Sequence, residues 1–147
     1  MKQRPLDRDL AVLLSDYQVF YTKLRGYHWT VTGPQFFGLH AKFEELYDDA
    51  AEKVDALAER LAARGARPPV TLQEQLALAR LQEDASQPSA NDMVRSVATD
   101  LGKLNESLRA LERSAVEAGD AATQNLAQSY ADGQEKTIWM LRAFLSA

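Results

Sequence analysis

The chain has 147 residues, 17 basic and 21 acidic, a net charge of −4 and no cysteine. Without cysteine there are no disulfides, thiolate metal sites or cysteine nucleophiles, so any metal must be held by His, Asp and Glu, donors that suit iron, manganese or zinc better than copper(I). The acidic balance argues against nucleic acid as the main partner, and the wealth of helix formers with few glycines and prolines argues for a helical core.

The first helix is expected from about Pro5 to His28–Val31. Leu6, Leu10, Leu13, Leu14, Tyr17, Phe20, Tyr21, Leu24 and Tyr27 recur at spacings of three and four, the mark of one buried face. Asp7 and Asp9 lie in its first turn, where negative charge suits the helix dipole. Thr32-Gly33-Pro34 ends it. A second helix runs from about Phe36 to Ala63, with Phe43, Leu46, Tyr47, Ala50, Val54, Leu57, Ala58 and Leu61 as its apolar stripe. Gly65 and Pro68-Pro69 stop it.

A crossover spans Arg67 to Ser89. Thr71 and Glu74 form a capping box for a short helix through Leu81, and Asp84 to Ser89 reads as loop. A third helix starts at a cap on Ser89 or Asn91 and runs to about Ala118. Its face is Met93, Val94, Val97, Leu101, Leu104, Leu108, Leu111 and Val116. After Gly119, Asp120 caps a fourth helix to about Phe144, with core positions Leu126, Tyr130, Ile138, Met140, Leu141 and Leu145. Gly133 within it marks a weak point or a close approach by a neighbour. Trp139 reads as core or interface.

The expected fold is all-α: a four-helix bundle whose long crossover between helices 2 and 3 contains a short helix, in a single domain over residues 1–147. No apolar run reaches membrane-spanning length, and MKQRPLDRDL lacks the apolar core of a signal peptide. A cytoplasmic location is the expectation.

The chemistry concentrates between His28 and Glu59. With His40 at zero on the second helix, Glu44 falls at about 40°, Asp55 at about 60° and Glu59 at about 100°, one arc bordering the apolar stripe. His40 and Asp55 are about 22 Å apart along that helix, too far to share an ion within one chain. Two copies packed antiparallel about an axis near Asp49–Ala50 bring His40 and Glu44 of one to Asp55 and Glu59 of the other. His28 folds back beside His40 across the Gly33-Pro34 turn. A lone histidine is more often structural than a ligand. Here both histidines of the chain are in register with carboxylates, so His28, His40, Glu44, Asp55 and Glu59 are the candidate catalytic and metal-ligating residues. Arg60 is a possible ion partner for Asp55 and Glu59. Trp29 is a packing residue or a redox-active neighbour. Asp48 and Glu52 belong to the solvated side or to secondary ion contact.

The run LSDYQVFYTKLRGYHWTVTGPQFFGLHAKFEELYDDAAEKVDALAERLAARG resembles the hallmark of the Dps family, the ferritin-like DNA-binding proteins from starved cells. AGDAATQNLA and EKTIWMLRAFL resemble that family's last helix. The resemblance spans essentially the whole chain. It implies a ferritin-like bundle, a hollow twelve-subunit shell, and ferroxidase centres at two-fold interfaces. It also implies oxidation of iron(II), preferably by hydrogen peroxide, and storage of ferric mineral. On that resemblance His28, His40 and Glu44 come from one subunit, and Asp55 and Glu59 from its partner. Other divalent metals could occupy the same site.

Three departures accompany it. Glu44 stands where the family usually has Asp. Near the start of the last helix, where family members line an entry pore with acids, Asp120 fits the pattern but Asn125 replaces an expected Asp. A lysine-rich terminal tail for DNA is nearly absent. Only Lys2, Arg4 and Arg8 are basic near the start, and the chain ends LSA. DNA compaction is therefore the alternative function, and iron oxidation the leading one.

Overall fold

The computed structural model describes residues 3–146. It contains five helices: α1 (Pro5–Thr30), α2 (Phe36–Ala63), α3 (Leu72–Leu78), α4 (Ala90–Glu117) and α5 (Ala121–Leu145). The four long ones form the expected bundle, and α3 lies in the crossover between α2 and α4. The main packed pairs are α1 with α2 and α4 with α5, while α1 also touches α4 and α3. No helix among the described residues is long and apolar enough to cross a membrane.

The core follows the stripes. Leu10, Tyr17, Leu24, Phe43, Leu57, Leu61, Met93, Leu104 and Leu108 are fully buried. Each such side chain contributes roughly 1.5–3 kcal/mol by leaving water. Helix ends form where backbone chemistry allows. Gly65 takes φ +81°, which lets Ala66 N–H reach Leu61 O (3.0 Å) and Gly65 N–H reach Ala62 O (2.9 Å). This closes the end of α2 with the paired bonds of a Schellman turn. Ser89, not Asn91, caps α4 by accepting from Asp92 N–H. Thr71 and Glu74 form the expected capping box.

Several expectations need correction. The short helix stops at Leu78 instead of Leu81. The reason is Asp16 on α1, whose buried Oδ1 accepts from Arg80 N–H (2.5 Å) and Leu81 N–H (2.9 Å). Those amides leave the helix pattern to satisfy a buried carboxylate. Val116 and Met140, expected in the core, are exposed; Trp139, expected in the core or an interface, is 65% exposed in the single subunit. Gly133 interrupts nothing, since α5 is continuous, and a Cβ there would meet no atom within 4 Å.

Asp7 lies in the first turn of α1, as expected. It is buried and accepts from Arg4 Nε and Arg64 Nε, each at 2.6 Å. Arg64 also reaches Asp120 (2.7 Å), which Arg60 joins at 3.2 Å. Asp120 caps α5 through Thr123 N–H (3.0 Å). Arg60 therefore serves Asp120 and Thr123, at 3.0 Å from the hydroxyl, and is not the partner of Asp55 and Glu59. The same network engages the Asp120 carboxylate with two arginines. Of the N-terminal cations, Arg4 is committed to Asp7 and Arg64 O (2.5 Å). Lys2 and Ala147 lie outside the described residues.

Candidate metal centre

α1 ends at Thr30 and α2 begins at Phe36, so the turn between them returns the chain on itself. Gly33 makes this possible with φ +105°, a conformation that costs glycine little. The return lays His28 against His40. Their rings stack with centroids 3.8 Å apart and an interplanar angle of 11°. His28 Nδ1 is 2.6 Å from His40 O, and His40 Nδ1 is 2.7 Å from His28 O. A carbonyl oxygen only accepts, so each Nδ1 must carry the proton. In the neutral rings both Nε2 lone pairs are then free. A backbone carbonyl fixing Nδ1–H is the usual way a protein prepares an Nε2 metal ligand.

Aromatic side chains pin the pair. Phe36 stacks on His40 at 5.0 Å. The edge of Tyr47 meets His28 at 5.3 Å, and Tyr21 packs edge-on against Tyr47 at 5.7 Å. The Tyr47 hydroxyl points to Glu44 Oε1 at 3.5 Å, the long limit of a hydrogen bond. Desolvation, then the charges of Glu44 and Asp48, raise the Tyr47 pKa. The phenol therefore stays protonated and available as a donor to Glu44. Tyr47 and Phe36 were missed as site residues. The sequence signal was present, because Tyr47 follows Glu44 by three positions and Phe36 precedes His40 by four, both neighbours on a helix.

His28 is buried, His40 half-buried, and Glu44 exposed. Asp55 and Glu59 are exposed further along α2. A hydrogen bond with Asp55, followed by its negative charge, raises the Glu59 pKa. The two carboxyls thus sit close enough to compete for a proton, and a cation would relieve their repulsion. Within one subunit the five residues remain divided: His28, His40 and Glu44 at one end of α2, Asp55 and Glu59 at the other. Among the described residues no three His, Asp or Glu side chains converge as a metal-binding group. Within one subunit the five residues form two separate groups, as the helical spacing requires.

Beside the pair, Trp29 is 65% exposed and lies 5.0 Å from the Arg25 guanidinium. Arg25 in turn donates to the Tyr21 hydroxyl at 3.0 Å. Trp29 is not packed into the core.

Residues 9–147 match the ferritin-like domain family. The DNA protection during starvation protein of Brevibacillus brevis is 43% identical over 140 residues, 92% of this chain and 94% of the relative. That of Porphyromonas gingivalis is 39% identical, over 95% of this chain and 88% of the relative. Among solved structures, Dps from Staphylococcus aureus superposes with a TM-score of 0.95 at 36% identity, covering 99% of this chain and 98% of that one. A Dps protein from Vibrio cholerae O1 superposes at 0.93 with 39% identity, covering 96% and 89%. It is described as "a member of a broad superfamily of ferritin-like diiron-carboxylate proteins".

Proposed function

Because the chain belongs to the Dps family of ferritin-like proteins, we propose that it oxidises iron(II) and stores the ferric product, protecting the cell from iron and peroxide together. The observation that carries this reading is the reciprocal bonding of His28 and His40 through Nδ1, which leaves both Nε2 atoms free of the backbone. Iron(II) is the substrate. His28, His40 and Glu44 of one subunit bind it with Asp55 and Glu59 of the partner subunit. The donor set of imidazoles and carboxylates suits iron(II) and leaves positions open for an oxidant.

The oxidant is hydrogen peroxide. Two iron(II) ions give one electron each, peroxide takes both with two protons, and two waters leave. Keeping that exchange at a protein site separates iron from peroxide elsewhere and limits hydroxyl-radical formation. The chain acts as one domain, and twelve copies enclose the mineral. Assembly belongs to the mechanism because neither half-site alone completes the ligand set. Of the described N-terminal cations, Arg4 is held in an ion pair with Asp7, which supports iron oxidation over DNA compaction as the leading reading.

The test is stopped-flow measurement of iron(II) oxidation by peroxide in the assembled protein. His28→Ala and Asp55→Ala should each slow the initial rate by about tenfold or more, in line with losses on disturbing metal sites, while the assembly keeps its size. Unchanged rates in both variants would overturn the assignment.

A further inference from the structure

Phe37 is the most exposed large apolar side chain among the described residues, at 85%. A single exposed phenylalanine needs no explanation by itself. Its register does. On α2, Phe37 falls at about 60° when His40 is at zero, on the same arc as Glu44 and Asp55. His40 and Glu59 lie equally far from the midpoint between Asp49 and Ala50, as do Glu44 and Asp55. Phe37 and Ala62 are equidistant from that same midpoint. Ala62 is exposed and falls at about 40°, again on the same arc. The antiparallel pairing that completes the half-sites therefore sets an exposed aromatic ring opposite an exposed methyl group, one turn beyond the His40–Glu59 level.

We infer that Phe37 is an interface residue of the shared site, its ring seated on Ala62 of the partner subunit and walling off one end of the ligand cluster. The inference rests on the two-fold reading under Proposed function. The occupant is a second copy of this chain, because the register is set by half-sites that only a second copy can complete. Small residues recur where the two helices must approach. Ala51 faces the Asp48 level and Ala58 the Ala41 level, so the partner backbone can come close without a large side chain between. Phe36 meets Phe37 edge-on (5.4 Å between centroids) and stacks on His40 (5.0 Å). Seating Phe37 therefore bears on the histidine through one intervening ring, and it excludes water from the side of the site nearest solvent.

The chain has no cysteine, so an engineered pair reports the contact directly. A disulfide needs Cα atoms within about 7 Å. Within one α2, positions 37 and 62 are about 37 Å apart, which forbids an intrachain bond. Phe37→Cys combined with Ala62→Cys should give a covalent dimer on mild oxidation, reversed by reductant. Either single variant should stay monomeric on a denaturing gel. No dimer in the double variant, or as much dimer in a single one, would overturn the inference. As a second measurement, Phe37→Glu should leave helix content unchanged and weaken self-association at least about tenfold by sedimentation. Unweakened association would overturn it equally. Iron oxidation by the wild type is measured in parallel. A cross-link without oxidation keeps the interface and sinks the ferroxidase reading. Oxidation without a cross-link removes Phe37 from the interface and leaves that reading standing.

Discussion

His28 and His40 each donate Nδ1–H to the other's backbone carbonyl, at 2.6 and 2.7 Å, with their rings stacked between. Two histidines twelve positions apart thus fix each other's tautomer. In metal-free protein with labelled histidine, two-bond nitrogen–proton correlation should show both rings as the Nδ1–H form. Zinc titration should move the Nε2 resonances and leave Nδ1 protonated. A predominant Nε2–H form in either ring would contradict the geometry.

If the ligands come from two subunits, inactive variants should complement. His28→Ala subunits and Asp55→Ala subunits each assemble into impaired sites alone. Mixed pairs contain one site with both defects and one with neither. Co-refolding equal amounts should restore about a quarter of the wild-type rate, since half the pairs are mixed and one of their two sites is intact. Stopped-flow oxidation checks this. No recovery in mixed assemblies would place all the ligands in one chain.

The Glu44 side chain is one methylene longer than the Asp its family resemblance leads one to expect, and it reaches the Tyr47 hydroxyl. Glu44→Asp should shorten that reach, release the tyrosine, and change the apparent KM for iron(II) more than kcat. Tyr47→Phe should reproduce part of the KM change without altering metal stoichiometry. Steady-state oxidation with calorimetric metal counting separates the two.

Asp55 and Glu59 stand one helical turn apart with like charge, a pairing that destabilises a helix. The raised pKa of Glu59 has the matching sign: ionising it in the folded chain is harder than in the unfolded one. Stability contributed by the protonated form is therefore lost as pH rises through the folded pKa. Glu59→Gln should raise the thermal midpoint of the metal-free protein at neutral pH. Saturating zinc should narrow or reverse that difference by stabilising the wild type alone. Calorimetric melting with and without zinc is the measurement.

Arg64 ties the start of α1 to the start of α5 through buried Asp7 and Asp120. Burial alone would raise both carboxyl pKa values. Hydrogen bonds from Arg64 and Arg4 hold Asp7 below its ordinary 3.8, while the Thr123 hydroxyl and N–H, with Arg64, hold Asp120 further below it. Carboxyls depressed in the folded state stabilise it above their unfolded pKa. That contribution fades as pH falls below about 3.8 toward the folded values. Arg64→Ala should cost about 2–3 kcal/mol at neutral pH, less than a wholly broken buried pair because Arg4 and Arg60 remain. Its stability should also fall less steeply below pH 4. Denaturant unfolding across that pH range tests both.

Much of this was legible in the residue order because helices impose a fixed period. The stripes from Leu6 to Tyr27 and from Phe43 to Leu61 gave two long helices, and the caps at Thr71 and Asp120 depend on contacts within four residues. The separation of His40 from Asp55 is likewise a matter of rise per residue, so the proposal of a second chain rests on sequence alone. Val116 and Met140 were misjudged because periodicity identifies an apolar face but not how far a neighbour covers it. Tertiary structure alone assigned Arg60 to Asp120, because the charges that meet belong to helix ends sixty residues apart. It alone ended α3 early, by bringing Asp16 to the crossover amides. It alone chose the histidine tautomers, since their acceptors are carbonyls twelve residues away in the chain, brought within 2.7 Å by the turn at Gly33. Local spacing determined which side chains share a face; the free energy of burying and pairing distant groups decided what each one touches.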